Sequence, residues 1–413
     1  MIAFHFPPLA GSSGIQRTLR FVQHLPALGW EPVVLTANTK AYERTSDDLM
    51  DDVPPGVRVV RAFALDAARH LSISGRYPRS FARPDRWRSW RWGGVLAGLR
   101  LLREQPVDAV WSTYPIATAH RIAATLHGRT GLPWIADFRD PMAQEGYPAD
   151  AKTWRSFKAI EEHSIQTAAR SVFTTPGAAN LYRHRYPAIP AERIVVIENG
   201  YDEETFAAAE QGEAPSTPIE PGRLTLLHSG VVYPSERDPT QFVKALGMLK
   251  AAGVIDAANF CLRFRASGEE TLLGELASSA GVSEMIQLLP PIPYREALKE
   301  MMRADGLVVM QASNCNAQIP AKLYEYLRAQ RPILGLTDPA GDTAQVLFQS
   351  GVKSVAALDS ASAIADLIKR FVREPAARSH AVPGPDAVRR ASRRSRALEF
   401  AALLDQVTSG AGG

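Results

Sequence analysis

The chain has 413 residues, 46% of them hydrophobic and 22% charged, with a formal charge of +4. That length exceeds one ordinary core and calls for two domains. The composition is that of a folded, water-soluble protein, and so small a net charge gives little support to a nucleic-acid partner. Cys261 and Cys315 lie far apart without metal-ligand spacing, which argues against a disulfide scaffold or a cysteine metal site and fits a reducing compartment.

The first residues, MIAFHFPPLAGSSG, carry no basic stretch and no long apolar core, so no secretory signal is expected. No run approaches the ~20 apolar residues that cross a bilayer, and the expected location is cytoplasmic. Six short apolar runs then read as strands: IAFHF (2–6), PVVLT (32–36), VRVVRAF (57–63), DAVWST (108–113), PWIADF (133–138) and SVFTT (171–175). Amphipathic stretches at 15–29 and 116–131 lie between them, and strand–helix repetition predicts a parallel sheet covered on both faces. The pattern pauses after ERIVVIENGYDEETF (192–206), and the Pro-, Gly- and Glu-rich residues 207–222 read as a linker. It restarts with strands at 224–230, 260–267, 286–290, 305–311 and 331–337, and helices at 239–252, 270–280 and 293–303. Residues 386–407 read as one long helix. The expected fold is α/β, with two Rossmann-like domains at 1–206 and 223–385 and a closing helix and tail at 386–413. Ligands of such sheets sit beyond the carboxyl ends of the strands, so the cleft between two of them is the expected site.

Four segments carry candidate chemistry. In PPLAGSSG, Gly11 and Gly14 permit a tight loop whose amides face an anion at a helix start, or simply a tight turn. The dinucleotide fingerprint and the Walker pattern are both absent. In LLHSGVVYPSERDP (226–239), the small residues Ser229 and Gly230 end a strand, and Arg237 is a bidentate phosphate donor or a surface arginine. In NAQIPAKLYEYLRAQRPILG (316–335), Pro320 reads as the opening of a helix whose first turn holds Lys322, where a cation opposes the helix dipole unless an anion binds there. Glu325, three residues on, is an ion-pair partner for that lysine or an acceptor for sugar hydroxyls. In WIADFRDPM (134–142), Asp137, Arg139 and Asp140 crowd a strand end, either as a salt-bridge cluster or lining an acceptor site. No D-x-D metal motif occurs.

The segments FPPLAGSSGIQR, ADFRDPM, VIENGYD, HSGVVYPSERDP and IPAKLYEYLRAQRPILG, in this order, resemble the retaining nucleotide-sugar glycosyltransferases of family 4, whose two-Rossmann architecture is called GT-B. The resemblance spans nearly the whole chain. It implies transfer of a sugar from a nucleoside diphosphate to an acceptor with retention, no metal and no cofactor. It places Gly11, Gly14, Ser229, Gly230, Arg237, Pro320, Lys322 and Glu325 at the donor, Asp137 and Arg139 on the acceptor side, and Arg139, Asp140 and Lys322 at the reaction. Glu325 matches the second glutamate of the family's E-x7-E motif. The first falls at Ala317, and the arginine that commonly follows the second-domain glycine is Val231 here. An epimerase of the same architecture, a sugar-binding protein and a non-catalytic partner subunit are the alternatives.

Residues 76–103 combine many arginines with Trp87, Trp90 and Trp92. That combination reads as a docking surface for an anionic membrane, which suits a lipid-linked glycan acceptor and a peripheral location, or as a solvated loop with packed aromatics. No nucleic-acid module accompanies it.

Overall fold

The computed structural model describes residues 1–12, 14–211 and 217–409. Contacts divide the chain into two units: residues 1–198 with the segment from Arg396 onward, and Asn199–Ser395. In the first unit the strands are β1 (Val34–Ala37), β2 (Val59–Ala62), β3 (Val110–Thr113), β4 (Trp134–Arg139), β5 (Arg170–Phe173) and β6 (Ile194–Val196). All their pairings are parallel. The N-terminal segment lies between β1 and β3: Ile2 bridges Leu35 and Ser112, and its N–H donates to the Trp111 carbonyl at 2.7 Å. Of the strand expected over 2–6, only this bridge at Ile2 is formed. The spatial order is therefore β2, β1, the N-terminal segment, β3, β4, β5, β6. The order reverses between the N-terminal segment and β3, which is a topological switch point.

In the second unit β7 (Leu224–Ser229), β8 (Phe260–Arg265), β9 (Ile286–Leu289), β10 (Gly306–Gln311), β11 (Ile333–Thr337) and β12 (Val355–Ala356) form one parallel sheet, ordered β12-β11-β10-β7-β8-β9. Its switch point lies between β7 and β10. Successive strand residues face opposite sides. Leu226 joins a core with Phe242, Phe264 and Phe371, while Leu227 joins one with Leu307, Leu323 and Tyr326. Each unit thus has a sheet covered on both faces, the Rossmann-like pair that the strand and helix runs predict.

Two segments differ from expectation. The single helix expected over 386–407 is two, Pro385–Arg390 and Arg393–Ser409. Between them the backbone turns its hydrogen bonds sideways: Tyr201 N–H donates to the Ala391 carbonyl (3.2 Å) and Arg393 N–H to the Tyr201 carbonyl (2.9 Å). Such close approach requires Gly200, where a Cβ would lie 2.7 Å from the Ala391 oxygen, and this gives the glycine of ENGYD a steric reason. From Arg396 the second helix belongs to the first unit, where Phe400 packs 4.7 Å from Phe21 and close to Trp111. The proposed linker also begins differently, because residues 207–210 continue a helix, Glu203–Glu210, that is already part of the second unit. Residues 212–216 of that linker lie outside the described residues.

Candidate functional site

The helix Lys322–Ala329 opens beside the carboxyl end of β7, with Ala321 as its N-cap. Pro320 therefore precedes the cap instead of occupying the first turn, and its carbonyl accepts from Leu323 N–H at 2.9 Å. Lys322 is the first helical residue, and the sequence explains its placement. The buried Tyr326 hydroxyl, one turn on, accepts the Ser229 N–H at 2.9 Å and ties this helix to the end of β7. Lys322 Nζ lies 3.1 Å from Nε2 of His228, a fully buried residue of β7. His228 Nδ1 faces the Val308 carbonyl at 2.9 Å. A carbonyl only accepts, so Nδ1 carries the proton and Nε2 presents a lone pair to the lysine. Burial, followed by the charge of Lys322, holds the His228 pKa well below its ordinary value and keeps the ring neutral.

Gly230 closes the arrangement. Its φ is +103°, and a Cβ there would sit 3.2 Å from Lys322 Nζ. The lysine thus lies over a strand end that has no side chain in its way. Burial, then the positive charge of Arg237, lowers its pKa to about 7, with Glu325 opposing. Arg237 donates to the Val231 carbonyl (3.1 Å), stacks 5.3 Å from the Tyr233 ring, and keeps a buried Nε without a partner. Its loop is fastened across the switch point by Ala312 N–H to the Glu236 carbonyl (2.7 Å) and Asn314 Nδ2 to the Ser235 carbonyl (2.8 Å). Glu325 Oε1 accepts the Tyr294 hydroxyl at 2.7 Å, and burial raises its pKa. Lys322 and Arg237 thus disfavour one another at a switch point; Arg237 Nη2 lies 3.7 Å from Glu236 Oε2, and Lys322 has no ion pair among the described residues. The strand-end amides are already engaged, because Ser229 N–H is taken by Tyr326 and Gly230 N–H by the Arg265 carbonyl.

The first unit offers fewer open groups than expected. Gly11 adopts φ +78°. At Gly14, a Cβ would fall 2.4 Å from His5 Nδ1 and 3.1 Å from Arg139 Nη1, so the glycine is required for space. Its N–H is already satisfied by Ser12 Oγ at 3.2 Å, which in turn meets His5 Nδ1 at 3.1 Å. Gly14 therefore shapes the loop and offers no free amide. Asp137 is not on an acceptor face: it is fully buried, accepts Arg17 bidentately at 2.8 and 3.0 Å, and accepts Thr113 Oγ1 at 2.9 Å. Arg139, at φ +60°, reaches toward the Gly14 and Tyr114 carbonyls, both at 3.4 Å, beside His5, whose pKa burial and then Arg139 lower to about 4. Asp140 is exposed. The loop that follows is held by buried Glu161, which takes the Ala143 N–H at 3.0 Å and the Tyr182 and Tyr186 hydroxyls. His5, His228 and Glu161 escaped the sequence reading. For His228 the signal was a histidine inside an apolar strand directly before Ser-Gly.

The tryptophan trio also divides. Trp90 is fully buried, and Trp87 packs 4.4 Å from Phe4 and donates to the Ala41 carbonyl, so neither is available for docking. Only Trp92 of the three is exposed, at 65%. No described helix is long and apolar enough to cross a membrane, and no described cluster of three or more His, Cys, Asp or Glu is placed to hold a metal.

Residues 13–200 match the model of the glycosyl transferase 4-like domain. No match is found among curated proteins. Among solved structures, the sucrose-phosphate synthase of Thermosynechococcus elongatus is 16% identical, with 99% of each chain covered and a TM-score of 0.65. HepE of Anabaena, in complex with UDP, is 12% identical (98% of this chain, 99% of that one, TM-score 0.66). A glycosyltransferase of Rickettsia africae is 13% identical (98% of each, TM-score 0.64). At such identities the likeness is one of fold. The chain thus has the two-Rossmann GT-B fold of these solved structures, and residues 13–200 are similar to the glycosyl transferase 4-like domain.

Proposed function

We propose that the chain is a nucleotide-sugar glycosyltransferase of the retaining, family 4 kind, using a nucleoside diphosphate sugar and no metal. The observation that carries this reading is Lys322, a helix-start cation seated between neutral His228 and Gly230 with Arg237 nearby and no ion pair among the described residues. A diphosphate supplies the missing charge, and the UDP in the HepE structure supports a ligand of that class. In the reaction the bond between the anomeric carbon and the diphosphate oxygen breaks, and its electron pair leaves with the diphosphate. The acceptor hydroxyl bonds to the same face of the sugar and gives its proton to the departing phosphate. Lys322 and Arg237 stabilise the charge that builds on the diphosphate. Glu325, held by Tyr294 through Oε1, has Oε2 left for a ribose hydroxyl pair. Arg139, beside His5 and Gly14, is the acceptor-side group of the first unit. The acceptor is a glycan hydroxyl, lipid-linked in the reading favoured by exposed Trp92 and Leu96.

The test is incubation with a panel of nucleotide sugars in chelator, with and without glycan acceptors, following nucleotide release and anomeric configuration by NMR. Acceptor-dependent release with an unchanged anomeric configuration supports the proposal. Sugar interconversion without an acceptor would identify an epimerase instead.

A further inference from the structure

The first unit holds a second concentration of positive charge that no step of this reaction uses. A cavity of about 360 Å³ is bounded by the helices Trp90–Glu104, Thr118–Thr130 and Ala151–Thr167, and Arg91, His120, Arg121, Ser156 and His163 line it. Its volume falls within the range of small-molecule sites. Burial, then the charges of Arg91 and Arg88, lowers the pKa of Arg121, and Asp85 alone opposes them. That carboxylate is already engaged by the Thr118 N–H (2.8 Å), the Thr118 hydroxyl (3.0 Å) and the Trp87 N–H (3.1 Å). Neither Arg91 nor Arg121 forms an ion pair among the described residues.

His120 supplies an independent sign of a ligand. It is fully buried, and its Nδ1 lies 2.8 Å from Ser112 Oγ, which also accepts the Trp134 Nε1–H at 2.8 Å. Trp134 fills one of the two acceptor positions of Ser112, which keeps its proton and a second lone pair; with that proton given to Nδ1, the tautomer we assign, the imidazole proton sits on Nε2. Burial lowers the ring pKa to about 4, so this is the neutral tautomer at pH 7. Nε2 is buried without a hydrogen-bond partner, and a buried donor in that state asks for an acceptor.

We propose that this cavity binds a phosphoryl anion, held by the guanidinium groups of Arg91 and Arg121 and by the His120 Nε2–H. Tetrahedral phosphoryl oxygens match several converging donors, and guanidinium suits them best. Two sources share this chemistry: a phosphate ester in solution and the phosphate of a lipid headgroup. The second is relevant because Trp92 and Leu96, 65% and 74% exposed, lie on the helix that carries Arg91.

The experiment uses the full chain at low salt. Inorganic phosphate is titrated by calorimetry, and flotation is measured with phosphatidylcholine vesicles with and without phosphatidate. The parent is compared with Arg91→Gln and Arg121→Gln, each also made in a Lys322→Ala background so that phosphate held in the second unit does not contribute. In both backgrounds each arginine variant should bind at least one probe about tenfold more weakly, as for loss of a charged hydrogen bond. Phosphate binding identifies a soluble ester, and capture that depends on phosphatidate without phosphate binding identifies a headgroup. A shift of the His120 Nε2–H resonance on adding the probe that binds reads the contact in the parent, independently of how any variant folds. The proposal is overturned if neither probe binds, or if folded arginine variants bind as the parent does.

Discussion

Lys322 owes its properties to three neighbours. His228 offers a lone pair, Gly230 offers space, and Arg237 adds repulsion that an anion would relieve. With its pKa lowered to about 7, the free ammonium loses its proton as pH rises through neutrality. A bound diphosphate favours the charged form and raises that pKa, so binding above about pH 7 must take up a proton. Affinity for UDP should therefore fall from pH 7 toward 9, and calorimetry in two buffers of different ionisation enthalpy should report uptake approaching one proton. A pH-independent affinity would remove Lys322 from the site. Asp137 makes the opposite case, a charged residue whose work is structural. Asp137→Ala leaves Arg17 buried without its carboxylate, and such a change typically costs about 3–5 kcal/mol. Urea unfolding should show a loss of that size, and a loss below about 1 kcal/mol would contradict the buried-pair account.

At the scale of elements, close backbone approach decides several features. The helix Trp90–Glu104 lies against Thr118–Thr130 so tightly that a Cβ on Gly94 would be 2.5 Å from Ile122 Cδ1, and one on Gly98 2.7 Å from Leu126 Cδ1. Gly200 plays the same part for the strand-like pairing of Tyr201 with Ser392. Gly200→Ala pushes a methyl into the Ala391 carbonyl, which is backbone and cannot swing away. A loss of roughly 1–3 kcal/mol is expected in chemical denaturation, as for overpacking elsewhere; an unchanged midpoint would refute the close approach. These contacts also set the limits of what the sequence shows. Strands β1 to β5 and β7 to β11 were legible because each is a short apolar run bounded by turn residues. β12, two residues long, carries no periodicity to detect. Trp90 was misjudged because arginine-rich composition hid the spacing Trp90, Gly94, Gly98, Leu101, a buried stripe at helical period. The break near Ala391 had no glycine or proline to announce it, since its cause is Tyr201, far away in sequence. Lys322, Gly230 and Arg237 were legible as candidates from local grammar alone. Their support by His228, and the pairing of Arg17 with Asp137, depend on contacts that only the fold creates.

At the scale of the whole molecule, two sheets share one strand order, with the order reversing at the N-terminal segment in one and at β7 in the other. In such sheets ligands gather at the reversal. The proposed anion site of the second unit stands at such a point, and the loop from Val231 to Pro239 is tied across it to the residues following β10. That placement brings three local features together, a strand end, a loop arginine and a helix-start lysine. The most direct measurement is a metal-free calorimetric titration of the full chain with UDP, GDP, dTDP and CMP, repeated with Lys322→Ala and Glu325→Ala. One nucleoside diphosphate should bind, and Lys322→Ala should weaken it by roughly 1–3 kcal/mol, the worth of a hydrogen bond to a charged group. Glu325→Ala should weaken it as well, through the lost ribose contact. If no nucleotide binds, or if Lys322→Ala binds as tightly as the parent, the diphosphate site does not exist and the glycosyltransferase proposal loses the observation that carries it.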